Sequence, residues 1–189
     1  TSTWGDSRYG QTEIQLNSAH DFQIKDWWKL SLAADARWDA LNSTNYHASR
    51  FTALSALASS FRTERFMATV ALEYEGAFDR DGLSRNALSP SADLRFTAFQ
   101  GFDIVAFGRR AYRIPTFNEL YYVGYGNPQL APEDAWLTDL GIDFNRRVNA
   151  AWTMKLKADV FCNLLKNKII SAPTEEDPNI WAPYNVGKV

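Results

Sequence analysis

Cysteine is nearly missing: the 189-residue chain has one, Cys162. A single thiol excludes an intrachain disulfide, and with no second thiol or nearby histidine it excludes a cysteine zinc site. Histidine is almost as scarce, with only His20 and His47. Both are isolated, and neither a nucleophile elbow, a phosphate loop nor a metal-binding pair accompanies them, so no catalytic residue, metal ligand or cofactor is assigned. His47 is expected in a loop, and His20 on neither clear face of its segment. There is no Lys/Arg run and the formal net charge is -2, which leaves no basic face for nucleic acid. No apolar run approaches the roughly twenty residues of a spanning helix, and the opening TSTWGDSRYG lacks the basic-then-apolar order of a signal peptide. Such a chain is soluble, or it is part of a protein that crosses a membrane as strands.

What is abundant is aromatic: seven Trp, eight Tyr and twelve Phe. From Trp28 to Asp39 the even positions are Trp, Leu, Leu, Ala, Ala, Trp and the odd ones Lys, Ser, Ala, Asp, Arg, Asp. That is period two, which a helix would scramble. The same alternation runs from Phe66 to Glu75, Ser91 to Ala98, Trp136 to Phe144 and Trp152 to Asn163; it is weaker from Gln11 to Gln23. Phe102 to Arg113 is ambiguous, because both of its faces carry apolar residues. Short connections are expected near residues 24–27, 62–65, 99–102 and 146–150, and longer ones near 42–48, 79–88, 114–134 and 172–184. Short turns on one rim and long loops on the other predict an up-and-down antiparallel meander.

The strands outrun the five or six residues typical of soluble sheets. Trp28 and Trp38 sit ten positions apart on one face, roughly 23 Å along the membrane normal at a tilt near 45°. An apolar band about 25 Å tall with an aromatic girdle at each edge is the pattern of a transmembrane barrel. The competing reading is a large soluble sheet whose aromatics would lie in mid-strand, whereas here they lie at strand ends. On the barrel reading Cys162 faces lipid, and Lys155, Lys157, Asp159, Asp139 and Asp143 form a charge-paired lumen wall.

Arg113 to Trp136 interrupts the alternation. Pro115, Pro128 and Pro132 each remove a backbone donor, which bars the segment from the interior of a paired strand. Tyr121, Tyr122 and Tyr125 supply rings, and a loop of this length rich in aromatics reads as functional rather than disordered. Asp79-Arg80-Asp81-Gly82 faintly echoes a calcium loop but lacks later acidic ligands, and is expected to be a turn. Glu175, Glu176 and Asp177 read as a solvated loop tip.

The runs FGRRAYRIPTFNELYY, GNPQLAPE, LGIDF, ADVFCNLLKNKII and PYNVGKV, in this order, closely resemble the barrel of TonB-dependent outer-membrane receptors of the siderophore and cobalamin type. Two positions depart from that pattern: Ala131 stands where Lys or Arg is usual, and Cys162 where an aromatic is common. The resemblance implies an all-β fold, with residues 1–189 forming part of a single transmembrane domain. That part would be about eight to nine strands of a 22-stranded barrel, with the plug and the TonB-contacting segment outside this chain and the chain ending inside a strand at Val189.

It also implies a Gram-negative outer-membrane location and no enzyme activity. The implied partners are outer-membrane lipid, the rest of the barrel with its plug, TonB, a nutrient ligand (cobalamin, an iron siderophore or haem) and a surface lipoprotein. Tyr121, Tyr122, Tyr125, Trp181 and Tyr184 are the expected ligand-contacting residues. The alternative is a self-contained eight-stranded barrel with a structural or adhesive role.

Overall fold

In the computed structural model, which describes residues 8–188, nine strands run in sequence order as one antiparallel sheet. They are β1 (Tyr9–Lys25), β2 (Trp28–Ser43), β3 (His47–Arg62), β4 (Phe66–Asp79), β5 (Ser84–Phe99), β6 (Phe102–Arg113), β7 (Glu133–Arg147), β8 (Thr153–Pro173) and β9 (Trp181–Lys188). A one-turn helix, α1 (Phe117–Tyr121), lies between β6 and β7. Among the described residues β1 and β9 do not pair, so the sheet is open. Residues 1–7 of the opening run, and Val189 where the chain ends, lie outside the described residues.

Register converts the sequence alternation into two faces. Trp28, Leu30, Leu32 and Trp38 of β2 pair with Phe61, Ser59, Leu57 and Phe51 of β3, and Leu57 pairs with Leu72 of β4. Directly paired residues share a face, so one apolar face runs unbroken across the sheet. It continues through Phe102↔Phe144, Ile104↔Ile142 and Leu140↔Val160. Among the described residues no second layer covers it: Leu16 is 74% and Val160 76% exposed. Aromatics gather at its short-turn edge, where the Trp28 and Phe61 rings stack at 6.1 Å and Phe99 and Phe102 at 4.9 Å. The opposite face carries the charged pairs Lys29–Asp21 (3.2 Å), Arg95–Asp103 (2.7 Å) and Lys157–Asp143 (3.3 Å). Lys155, Asp159 and Asp139 share this face, but among the described residues they form no ion pair.

Several boundaries differ from the sequence expectation. The connections near 42–48 and 79–88 are tight turns at residues 44–46 and 80–83, because the ladders run on past the apolar band. His47 therefore opens β3 instead of lying in a loop. His20 pairs with Leu32 on the apolar face, next to Ser18 (2.8 Å) and Phe22. The ambiguous stretch from Phe102 to Arg113 is a regular strand. Its mixed faces arise because Arg109 and Arg110 point to opposite sides, Arg110 with the apolar face and Arg109 with the polar one.

Candidate functional site

The buried side chains gather where residues 114–132 fold back over the polar face. Leu120 is fully buried, and Thr52, Pro115 and Pro183 are nearly so. Thr116 caps α1: its hydroxyl accepts from the Glu119 N–H (3.3 Å), while the Glu119 carboxylate accepts from the Thr116 N–H (2.7 Å). This reciprocal capping box, Thr-x-x-Glu straight after Pro115, was a readable helix signal that the loop reading passed over. Arg113 and Glu133 close the base of the segment as direct ladder partners joined by a two-pronged pair at 2.7 and 2.9 Å. Arg113 also reaches Glu119 at 3.0 Å.

Two anchors tie the segment to strands far apart in the sheet. On one side, Arg50 of β3 donates to the Pro115 carbonyl (3.0 Å) while gripping Asp79 of β4 at 2.5 and 3.1 Å, and its guanidinium lies 4.9 Å over the Phe117 ring. Arg85 adds a second bond to Asp79 (2.7 Å), and the Tyr121 hydroxyl donates to Asp81 (2.6 Å) and Asp79 (3.2 Å). On the other side, Asn127 donates to the Pro183 carbonyl (3.1 Å), and Asn185 of β9 pairs with both backbone groups of Ala131 (2.8 and 2.9 Å). Asn185 also donates to the carbonyl of Asn167 (2.7 Å), whose φ of 55° is a left-handed conformation that Asn tolerates. One segment thus spans β3 to β9 on the polar face, roughly 29 Å of sheet at the usual strand spacing. Gly126 makes the tight return possible, since a Cβ there would meet the backbone nitrogens of Tyr121 and Tyr122 at 2.7 Å.

Charge and burial set the protonation of this latch. Burial is the largest influence on Glu119 and would raise its pKa, yet the bonds from Arg113 and Thr116 outweigh it and hold the carboxyl below its ordinary range. Asp81 is likewise held low against burial, by Tyr121 and the Leu83 N–H. Burial, together with the two carboxylates it faces, pushes the Tyr121 hydroxyl well up, so it stays a donor. The turn holding Asp81 is the expected Asp-Gly turn, with Gly82 at φ 87°.

Of the sequence-derived candidates, Tyr121, Tyr122 and Tyr125 come together, and Tyr46 and Phe117, which the sequence reading missed, join them. Neighbouring rings lie 6.3 to 6.5 Å apart from Phe117 through Tyr121, Tyr46 and Tyr122 to Tyr125. The Tyr46 hydroxyl bonds Asn118, and that of Tyr125 bonds Ser171. The proximity of Tyr46 could not be read locally, since its turn and α1 are seventy residues apart; only the parity of the strands between them places both on one rim. Trp181 shares the polar face with Pro183 and Asn185 but is outside this chain of rings. Tyr184 pairs with Ile170 on the opposite face and points away from the segment.

Beside α1 a cavity of about 410 Å³ is lined, among the described residues, by Tyr9, Gln11, Leu41, Thr116, Phe117 and Asn118, none of them charged. Such a site can bind through ring faces and neutral donors and acceptors. Among the described residues, no cluster of three His, Cys, Asp or Glu could hold a metal ion.

A family model described as TonB dependent receptor-like, beta-barrel, matches residues 1–189. No curated protein matches the chain significantly. Among solved structures, the chain is similar to the siderophore receptor PirA from Pseudomonas aeruginosa (22% identity, TM-score 0.74), covering 96% of this chain and 35% of that one. The copper transporter OprC gives 15% identity and a TM-score of 0.73, covering 95% and 33%. The Serratia marcescens hemophore receptor HasR, solved with its hemophore HasA and heme, gives 13% and 0.75, covering 97% and 38%. The chain spans about a third of the length of these structures, and at such identities the likeness concerns the fold.

Proposed function

The chain belongs to the TonB-dependent receptor β-barrel family, and from that premise we propose that it forms part of the wall of an outer-membrane active transporter that imports a scarce nutrient complex. The observation that carries this reading is the pairing of two opposite faces on one sheet. An uncovered apolar face edged by aromatics suits lipid, and a polar face crossed by an anchored aromatic segment suits a solute path. The rim bearing residues 114–132 is the outer one on this reading, because long loops lie on the extracellular side of such barrels.

The nutrient we propose is a metal complex, an iron siderophore first, with haem and cobalamin as the other members of the class. The similar structures are those of a siderophore receptor, a copper transporter and a hemophore receptor solved with heme, which supports this class. Tyr122, Tyr125 and Trp181, with the cavity beside Phe117, offer ring area at low entropic cost. Tyr121 contributes through the latch, while Tyr184 faces outward. A plug, TonB and a surface lipoprotein are the partners that complete the reading. The self-contained eight-stranded barrel is disfavoured because β1 and β9 do not pair among the described residues.

The test is ligand titration of the intact receptor with Tyr121 and Tyr122 both changed to Ala. Affinity should fall at least tenfold, the loss of about 1.4 kcal/mol. Unchanged affinity in a normally folded barrel would remove the aromatic segment from the site.

A further inference from the structure

The face of the sheet that points away from residues 114–132 carries a basic row that the solute path does not use. Asp134 of β7 pairs in register with Lys166 of β8, and Lys166 with Lys188 of β9; Lys168 follows on the same face, opposite Val186. Arg110 of β6 stands beside them, bonded to Asp134 (2.8 and 2.9 Å) and to the Leu88 carbonyl (2.7 Å). Four cations thus face one carboxylate, which Arg110 already occupies. Lys166, Lys168 and Lys188 are all exposed, and among the described residues none forms an ion pair.

The height of the row is specific. On β8 the apolar face runs from Met154 through Leu156, Ala158, Val160 and Cys162 to Leu164, which pairs with Trp136 of β7. Lys166 lies two residues past that band, roughly 5 Å farther along the membrane normal at a tilt near 45°. That places the ammonium groups in the headgroup layer, on the lipid side of the wall. Tyr184 and Ile170 project from the same face beside Lys168, which gives the patch an amphipathic ring next to its charges, as interfacial residues have.

We propose that Lys166, Lys168 and Lys188, with Tyr184, form a docking site for the phosphorylated headgroup of a membrane lipid in the leaflet on the long-loop side. Phosphate oxygens accept from ammonium donors, and at this height a headgroup reaches the row without lifting its acyl chains out of the band. The inference rests on the membrane-barrel reading, and it requires nothing of the transported solute.

The experiment uses the intact receptor in nanodiscs of phosphatidylcholine with or without phosphatidic acid, with co-retained lipid counted by native mass spectrometry. The wild type should enrich phosphatidic acid, and enrichment should fall as salt rises. Neutralising one lysine near an anionic surface should cost roughly fivefold, so the triple variant K166Q/K168Q/K188Q should lose on the order of a hundredfold. Lys155→Gln on the polar face should retain the wild-type value.

Equal enrichment in the triple variant and the wild type would overturn the site. Displacement of the lipid by inorganic phosphate at matched concentration would overturn the lipid assignment in favour of a free-anion site. Detergent-independent solubility of the receptor would instead overturn the barrel reading itself, so the two failures are distinguishable.

Discussion

The side chain of Asn185 pairs with both backbone groups of Ala131, fifty-four residues earlier, accepting from its N–H at 2.8 Å and donating to its carbonyl at 2.9 Å. An amide side chain here stands in for a strand neighbour and holds the return of the long segment against β9. The contact uses only the Ala131 backbone. That explains how this position can depart from the Lys or Arg usual in the family pattern without disturbing the fold. Asn185→Ala should destabilise the intact barrel by about 3 kcal/mol, from three part-buried bonds worth about 1 kcal/mol each. Asn185→Asp should cost at least as much, because a carboxylate would face the carbonyls of Ala131 and Asn167. Ala131→Lys should stay within about 0.5 kcal/mol. Thermal unfolding of the three variants checks the set.

At the other anchor, Asp79 neutralises two guanidiniums whose side chains are each 9% exposed. Asp79→Asn leaves Arg50 and Arg85 without a carboxylate and should cost about 3 kcal/mol, as breaking a buried ion pair does. Removing the charge from both sides together, as Arg50→Met with Asp79→Leu, should cost less than the sum of the single changes. Additivity in a double-mutant cycle would mean that the pair does not hold the segment.

The latch has a pH window whose limits follow from sign. Glu119 and Asp81 are held below their ordinary values of 4.5 and 3.8, so their contribution is full above those values and is lost as pH falls through the lowered ones. Tyr121 is raised above 10.0, so its contribution is full below that and is lost as pH rises through the higher value. Amide protection over residues 117–122 should therefore hold from neutrality to roughly pH 5 and then decline. An ultraviolet titration should show Tyr121 as the latest of several late-ionising tyrosines, Tyr46 and Tyr122 among them, and Tyr121→Phe should remove that latest step.

The face assignment predicts a sharp asymmetry between adjacent residues. Leu32 lies between Trp28 and Trp38 on the apolar face, and Ala33 on the polar one. Leu32→Lys should cost about 2 to 4 kcal/mol in a bilayer, and Ala33→Lys less than about 1 kcal/mol. Equal costs in a urea unfolding series from lipid would contradict the assignment.

The strands and their faces were legible because period two survives wherever one side meets lipid or solvent and the other does not. Legibility failed where that contrast failed. Phe102 to Arg113 looked mixed because Arg110 sits on the apolar face at its outer edge, neutralised by Asp134, a diagonal contact that no single strand reveals. Strand ends ran longer than read because beyond the band the ladder continues without an apolar rhythm to mark it. In the site, the tyrosines of the segment were visible as a cluster. Their partners Tyr46 and Arg50 were not, since a turn and a strand seventy residues away are joined to α1 only by the return of the chain across the sheet. Tyr184 lies apart from the other tyrosines for a simpler reason: its parity, matched to Ile170, turns it to the apolar face.

Energised uptake tests the central claim most directly. Cells that lack their own receptor and express the full-length protein should accumulate radioiron supplied as a ferric siderophore. Uptake should stop when the proton gradient is dissipated or TonB is deleted, while surface binding persists. Accumulation that is indifferent to both treatments, or neither binding nor uptake of any metal complex by a correctly inserted receptor, would contradict it.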